Sequence, residues 1–221
     1  MQRQNDRRWH LALLVAVCAA IVWSWIGASD RMTWWLESFP IFLAAPVLAA
    51  TYKSFPLTRL AYTLIALHMC ILLVGAHYTY AHVPLFDYVR DRFHLQRNDY
   101  DKVGHLAQGF VPAIITREIF VRKRVVSSSG WRIFLVLCVC LAISACYELL
   151  EWAVAVAEGS GADAFLGTQG DPFDTQSDMF CALIGASAAQ LLLSRWHNRQ
   201  LEHLANANAE HDRPALARHN G

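Results

Sequence analysis

The chain has 221 residues, of which 55% are hydrophobic and 17% are charged, and the apolar residues are gathered in blocks. This composition is typical of a membrane protein and argues against an ordinary soluble globular domain. A net charge of +1, without a basic patch interleaved with aromatic residues, argues against nucleic acid as a partner. The six cysteines show no C-x-x-C spacing, which argues against a disulfide framework or a zinc knuckle.

Apolar runs of about 20 residues are long enough to cross a bilayer as helices. They predict an all-α fold, a polytopic membrane helix bundle with about six transmembrane helices, over residues 11–27, 34–52, 60–80, 101–121, 131–157 and 173–193. Residues 1–10 are then a polar amino terminus and residues 11–195 the six-span domain, while the polar composition of residues 196–221 predicts a disordered tail. The first run is longer than a signal-peptide h-region, which favours a retained span.

The segment between the third and fourth spans is predicted to lie on the membrane surface. Residues 81–98 are polar overall, but four apolar residues recur near helical spacing behind Pro84, a residue suited to a first helical turn: Leu85, Phe86, Val89 and Phe93. This pattern indicates a short interfacial helix.

The distribution of lysine and arginine predicts the orientation. Most of these residues lie in the amino terminus, in the connections 53–59 and 122–132, and in the tail, whereas residues 158–172 contain none. Cytoplasmic segments carry an excess of lysine and arginine, so both termini are predicted to be cytoplasmic. The outward-facing segment 81–102 departs from this rule because it contains Arg90, Arg92, Arg97 and Lys102.

With this topology, ionisable residues from three spans converge at the outward-facing end of the bundle. They form three pairs at i,i+3 or i,i+4 spacing, so that each pair shares one face of its helix: Asp101 with His105, Glu148 with Glu151, and Asp174 with Asp178. The third span ends on the same side with His77. One polar pocket between helices is therefore predicted.

Helix capping explains only part of this set. Asn98 and Asp171 can cap the fourth and sixth spans, each with an acid in the following turn. His105 and Asp178 lie deeper than a cap. Glu148 lies about 25 Å along the fifth span, toward the carboxyl-terminal end, where the helix dipole disfavours negative charge.

An acid at the centre of a span costs about 2.5–3.5 kcal/mol on insertion scales, so the pairs require partners or a function. One explanation is an interhelical hydrogen-bond or ion-pair network, with Lys102, Arg97 or His77 as partners. Another is a divalent metal site for Zn, Mn or Fe, with ligands drawn from His105, Glu148, Glu151, Asp178, Asp101 and Asp174. Proton or cation transfer and recognition of an anionic headgroup are the remaining explanations.

Three motifs resemble the YjdF family of bacterial inner-membrane proteins: YELLEW at residues 147–152, DYDKVGH at 99–105 and GTQGDPFDTQSDM at 167–179. The resemblance covers roughly residues 10–195 and implies a multi-pass protein of the bacterial inner membrane.

More remotely, several of the same residues are similar to the VanZ-like membrane family, which is associated with glycopeptide resistance and the cell envelope. They are Asp101, Lys102, His105, Glu148, and Asp178 followed by Gly185. Glu151 stands where that family usually has glutamine, and Ala182 where it usually has asparagine.

Together these features predict a periplasm-facing acidic and histidine-containing pocket, with membrane lipids and an envelope lipid-linked substrate as partners. His105, Glu148, Glu151 and Asp178 are the predicted catalytic residues, acting as metal ligands or acid/base groups. A metal-assisted hydrolase or transferase fits this set. A proton- or cation-coupled transporter and a non-catalytic structural protein are the alternatives.

Overall fold

The structure is a computed structural model that describes the backbone of residues 2–158 and 168–217 and the side chains of residues 6–157 and 168–206. Within these ranges the chain forms seven helices: α1 (Gln2–Trp25), α2 (Arg31–Thr51), α3 (Arg59–Tyr78), α4 (Pro84–Phe93), α5 (Tyr100–Arg122), α6 (Ser129–Glu158) and α7 (Asp174–Ala217). The all-α fold class is confirmed. Most of the predicted glycine-rich connection, residues 159–167, lies outside the described residues.

Among the described residues, five helices are long and apolar enough to span a membrane: α1, α2, α3, α6 and α7. A polytopic helical membrane bundle is therefore confirmed. α5 has 23 residues, about 35 Å at 1.5 Å per residue, which exceeds the roughly 30 Å of a hydrocarbon core. Its composition is too polar to count among these five, but it packs along α3, α6 and α7. That α5 is the fourth crossing stays a prediction, favoured by neighbours that shield it from lipid.

α5 and α7 form the most extensive helix pair of the bundle. Gly109 lies against the backbone of Ala182, and Gly185 lies against the backbone of Leu106, so a Cβ at either glycine would collide with a carbonyl group. Small residues allow helix backbones to approach closely in a membrane, where apolar side chains gain little by leaving lipid. This contact holds the first halves of α5 and α7 side by side.

Exposed tryptophans mark the two ends of the bundle. Trp23, Trp25 and Trp35 are exposed where α1 ends and α2 begins, and Trp131 and Trp196 are exposed at the opposite end. Tryptophan is enriched at membrane–water interfaces because its ring is apolar and its N–H is polar. The two groups are consistent with the two headgroup regions of a bilayer.

The predicted surface helix is present as α4, with Pro84 in its first turn. Leu85, Tyr88 and Phe93 are exposed on it. Asp87 instead faces the bundle and accepts a hydrogen bond from Asn98 Nδ2 at 3.0 Å. α4 is therefore amphipathic, and its position in the interface remains a prediction.

α7 continues without interruption to Ala217, through much of the segment whose polar composition predicts a disordered tail. His197 and Leu201 are buried. Gln200 Oε1 accepts a hydrogen bond from the backbone N–H of Leu60 at 3.0 Å. These contacts attach the extension of α7 to the beginning of α3, which a reading of its polar composition does not reveal.

Candidate functional site

The first turns of α5 and α7 and the last third of α6 meet at the end of the bundle that the lysine and arginine distribution predicts to face outward. His105 Nδ1 lies 3.6 Å from Glu148 Oε1, and His105 Nε2 lies 3.8 Å from Asp178 Oδ2. All three residues are buried. The predicted convergence of α5, α6 and α7 is therefore present in the structure, and we call this group of side chains the polar chamber.

Two cations neutralise one side of the polar chamber. Lys102 Nζ lies 2.7 Å from Asp174 Oδ1 and 2.8 Å from Asp178 Oδ1. Arg97 pairs with Asp174 at 2.5 Å and also with Asp101. The predicted ion-pair network is thus present for these aspartates.

Arg97 lies in the connection just before α5 and contacts residues of α5, of α7 and of the segment that precedes α7. Its guanidinium also reaches the backbone carbonyl of Thr168 at 3.2 Å. Burial opposes its charge, but Asp101 and Asp174 outweigh burial and raise the pKa of Arg97 above its ordinary value. The side chain is therefore a permanent cation at the mouth of the chamber.

Asn98 and Gln169 connect the two segments that lead into α5 and α7. The backbone N–H of Asn98 donates to Gln169 Oε1 at 2.9 Å, and Gln169 Nε2 donates to the carbonyl of Asn98 at 2.8 Å. Asn98 Oδ1 accepts a hydrogen bond from the N–H of Tyr100 at 3.2 Å, but the N-cap residue of α5 is Asp99, so the predicted capping by Asn98 is wrong and its side chain instead closes the turn before the helix. Asp171 Oδ1 closes a similar turn before α7, where it accepts from Phe173 N at 2.9 Å.

Two triads of donor atoms within the described residues lie close enough to hold a metal ion, with all ligand atoms of a triad within 4.8 Å of one another. They are His105–Glu148–Asp178 and Asp101–Asp174–Asp178. The ammonium of Lys102 already lies between the carboxylates of the second triad. The first triad therefore offers the donor atoms that Lys102 leaves open.

Glu148 carries the clearest sign of a missing ligand. Its Oε1 is buried and has no hydrogen-bond partner among the described residues. Only 6% of the side-chain surface is exposed. A buried carboxylate oxygen without a partner is costly, so this atom requires a proton or a cation.

Gln108 is the hydrogen-bond partner of one nitrogen of His105. Its Oε1 lies 3.0 Å from His105 Nδ1, an arrangement that favours the tautomer in which Nδ1 donates to this oxygen. The lone pair of Nε2 then faces Asp178. A histidine that ligates a metal usually donates its other ring N–H to such a partner.

Glu151, predicted as a ligand with the others, belongs to neither triad of the described residues. It lines an adjoining cavity of about 60 Å³, together with Glu37, His68, Tyr80 and Tyr147. Tyr147 donates a long hydrogen bond of 3.4 Å to Glu37. The cavity is large enough for a few water molecules.

Sequence reasoning missed Glu37 and His68 as parts of this cavity. Glu37 is a buried acid in the second turn of α2. An acid inside an apolar run is unusual, and this alone could have indicated that Glu37 belongs to a polar site. His68 also lines the cavity, and its Nε2 has no hydrogen-bond partner within the described chain.

His77, predicted as a partner of the acids, lies elsewhere. Its Nδ1 contacts the backbone carbonyl of Ser24 at 2.9 Å, and its ring stacks on Trp23 with 4.6 Å between ring centroids. It therefore joins α3 to α1. That prediction is wrong because helix ends at one depth need not turn toward one another.

Comparison with known proteins bears on the identity of the chain. The model of a family described as predicted membrane protein (DUF2238) matches residues 9–199, which include the polar chamber. The chain belongs to the DUF2238 family. The resemblance to the YjdF family is confirmed as well, because the chain is 53% identical over 181 residues to the inner membrane protein YjdF of Escherichia coli (strain K12), covering 82% of this chain and 87% of that protein.

This DUF2238 protein is therefore a multi-pass protein of the bacterial inner membrane, as its helices and its relative together indicate. No solved structure is significantly similar to it. The VanZ-like similarity stays a prediction.

Proposed function

We propose that this DUF2238 protein binds one divalent metal ion through His105, Glu148 and Asp178 and uses it on a lipid-linked or headgroup substrate at the periplasmic face of the membrane. The observation that carries the proposal is Glu148 Oε1, a buried oxygen without a hydrogen-bond partner in the described part of the chain, beside an imidazole and a second carboxylate. A bound cation would satisfy that atom.

The charge balance of the chamber supports a cation. Arg97 and Lys102 are its fixed positive charges, and both are engaged by Asp101, Asp174 and Asp178. Glu148 lies 3.6 Å from His105, but neither it nor Glu151 nor Glu37 has a lysine or arginine partner among the described residues. Burying carboxylates without compensating charge is strongly unfavourable, and a divalent ion supplies that charge.

The donor set supports a transition metal. One imidazole nitrogen and two carboxylate oxygens suit Zn, Mn or Fe better than Ca²⁺ or Mg²⁺, which prefer oxygen ligands. Three protein ligands leave a position for water, and a metal lowers the pKa of a bound water so that it can act as a nucleophile. Glu151 faces the adjoining cavity and is suited to accept a proton there.

The small size of the cavity supports a substrate that stays largely outside it. About 60 Å³ accommodates water and the reacting end of a molecule, but not a complete lipid headgroup. A lipid-linked substrate fits this limit, because its chain remains in the bilayer while one polar group reaches the metal. A hydrolase or group-transferase reaction is the class that this arrangement suits.

Elemental analysis of protein purified in detergent tests the proposal. We expect about one equivalent of a transition metal in the wild type, and loss of that metal in His105→Ala and Glu148→Ala. Glu202→Gln, an exposed acid at the other end of the bundle, is the matched control and should keep its metal. Well-folded wild type that remains at background after incubation with Zn, Mn and Fe would overturn the proposal.

Proton or cation transport is the second candidate, favoured by the depth of the cavity. His68 lies midway along α3, so polar groups reach from the outward end toward the centre of the bundle. Intramembrane acids and histidines commonly carry protons in transporters. Proteoliposome flux that Glu148→Gln abolishes would favour this candidate, whereas flux equal in wild type and variant would remove it.

A purely structural role is the remaining alternative. It predicts that neutralising the chamber lowers stability and nothing else. Glu148→Gln, which keeps the shape of the side chain, should then alter thermal stability in detergent without altering metal content or flux.

A further inference from the structure

A second concave site lies at the opposite end of the bundle from the polar chamber. A cleft of about 510 Å³ opens between the α2–α3 connection, the end of α5 and the extension of α7. Its lining includes Phe55, Arg122, Lys123, Arg124, Leu201 and Leu204. The extension of α7 forms one wall, so the cleft exists only because that segment is helical and attached.

Positive charge is concentrated on one wall of the cleft. Arg122, Lys123 and Arg124 are consecutive in the chain, and the first two lie over the ring of Phe55. The Arg122 guanidinium lies 3.7 Å and Lys123 Nζ 5.4 Å from the ring centroid. Stacking of this kind orients a cation without neutralising it.

The three cations differ in whether an acid of the protein already neutralises them. Arg122 donates to Glu118 Oε1 at 2.9 Å and to the carbonyl of Pro56 at 2.6 Å, so a buried acid already neutralises it. Lys123 and Arg124 are exposed and have no ion pair among the described side chains. Glu202 is the acid on the cleft wall. The cleft therefore offers two free cations against one exposed acid.

The wall formed by the extension of α7 carries apolar side chains besides Asn198 and Glu202. Leu201 is buried, Leu204 is half-buried, and Val121 of α5 also lines the cleft. Trp131 and Trp196 are exposed at this end of the bundle, as is typical of residues near a membrane–water interface. A ligand that fits both walls carries a phosphate next to an aliphatic part.

We propose that this cleft binds an anionic phospholipid, with Lys123 and Arg124 on the phosphate and Leu201 and Leu204 against the glycerol and the first acyl carbons. Basic pockets between helices at a cytoplasmic surface attract acidic headgroups. A free phosphate ion shares the charge but would leave the apolar wall uncovered. The site is independent of the polar chamber and of the function proposed for it.

Native mass spectrometry of the full-length protein in a neutral detergent tests the site, with phosphatidylglycerol, phosphatidylcholine and inorganic phosphate as probes. We expect phosphatidylglycerol to be retained in preference to phosphatidylcholine. The double variant Lys123→Gln/Arg124→Gln should lower its apparent affinity about thirty-fold, since each cation near a headgroup contributes on the order of 1 kcal/mol. Both residues are exposed, so the variant should fold.

Two controls make the result decisive. Lys53→Gln/Arg199→Gln removes the same charge from exposed residues that do not line the cleft, and it should leave binding within about two-fold. Glu202→Gln removes the acid from the cleft and should strengthen binding. Equal losses in the two double variants, no preference over phosphatidylcholine, or binding that inorganic phosphate displaces completely would each overturn the proposal.

Discussion

At the residue scale, the two oxygens of Asp178 divide the polar chamber. Oδ1 pairs with Lys102 at 2.8 Å, while Oδ2 lies 3.8 Å from His105 Nε2. The ammonium of Lys102 thus occupies the place that a metal ion would take on the Asp174 side, and it leaves the His105 side open. Because Lys102 already neutralises one of the two candidate triads, we expect only the other triad to bind a metal ion.

Lys102→Met removes that built-in cation while keeping a side chain of similar length. Because Asp174 and Asp178 would remain buried without Lys102, we expect a loss of about 3–5 kcal/mol of stability in metal-free protein, by analogy with broken buried ion pairs. Added Mn²⁺ should restore much of the thermal stability in detergent. Lys53→Met, at an exposed position, should change little. A variant as stable as wild type without metal would contradict this role of Lys102.

Asp30 provides a pH-dependent contribution outside the spans. It caps α2, and its carboxylate accepts a hydrogen bond from the backbone N–H of Thr33 at 2.6 Å, which lowers the pKa of Asp30 below 3.8. A lowered pKa means that the stabilisation is complete above the unfolded value and is lost as the pH falls through the folded value.

Asp30→Ala should therefore cost about 1 kcal/mol near neutral pH, as loss of an N-cap does. The difference in thermal stability between wild type and variant should shrink as the pH falls below 3.8. Asp91→Ala, an exposed acid on α4, is the control. A difference that stays constant between pH 7 and pH 3 would refute the capping argument.

Residue spacing predicted the pairs of the chamber but not all of its members. Asp101, His105, Asp174 and Asp178 could be found because each pair repeats at helical spacing on its own helix. Glu37 has no such pair in α2, and His68 stands alone in α3, so neither produced a pattern. Their roles follow from how helices rotate against one another, which spacing within one helix does not specify.

At the element scale, close packing of α5 on α7 places His105 beside Asp178. Gly109 and Gly185 permit that approach, since each faces a backbone carbonyl of the other helix. Gly109→Ala should force the helices apart, lower stability by about 1–3 kcal/mol as overpacking does, and weaken metal binding.

Gly130→Ala is the matched control for that variant, because a Cβ there would meet only the Ser128 hydroxyl at 4.0 Å. It should leave both thermal stability and metal affinity near wild type. Wild-type metal affinity in Gly109→Ala would show that the α5–α7 distance does not set the site.

The extension of α7 illustrates what composition conceals. Residues after 195 are polar and read as a tail, yet His197 is fully buried between α5 side chains, with Nε2 3.1 Å from Glu118 and Nδ1 3.2 Å from Arg117. These contacts attach the extension of α7 to α5. Hydrophobic periodicity does not detect that kind of contact.

At the scale of the whole molecule, the order of the long helices was predictable. Apolar runs indicate where these helices form, and alternation of direction brings the ends of α3 and α6 and the beginnings of α5 and α7 to one side. α5 is the exception in composition, because a helix surrounded by other helices tolerates charges that lipid would not. The prediction that α5 crosses the membrane therefore rests on its position in the chain and on its packing against α3, α6 and α7.

The orientation predicted from lysine and arginine can be measured directly. In a cysteine-free background, Ser29→Cys lies at the predicted periplasmic end and Ser128→Cys at the predicted cytoplasmic end, and both serines are exposed. A membrane-impermeant maleimide added to spheroplasts should label the first and not the second. The reverse pattern would place both termini outside and move the polar chamber to the cytoplasmic face.

The central claim is that α5, α6 and α7 bring one histidine and two carboxylates to a single metal ion. X-ray absorption spectroscopy of the metal-loaded protein measures this most directly. We predict one imidazole and carboxylate oxygens at about 2.0–2.2 Å from the metal, with the imidazole signal lost in His105→Gln. A shell of water oxygens alone, or a spectrum identical in wild type and His105→Gln, would contradict the claim.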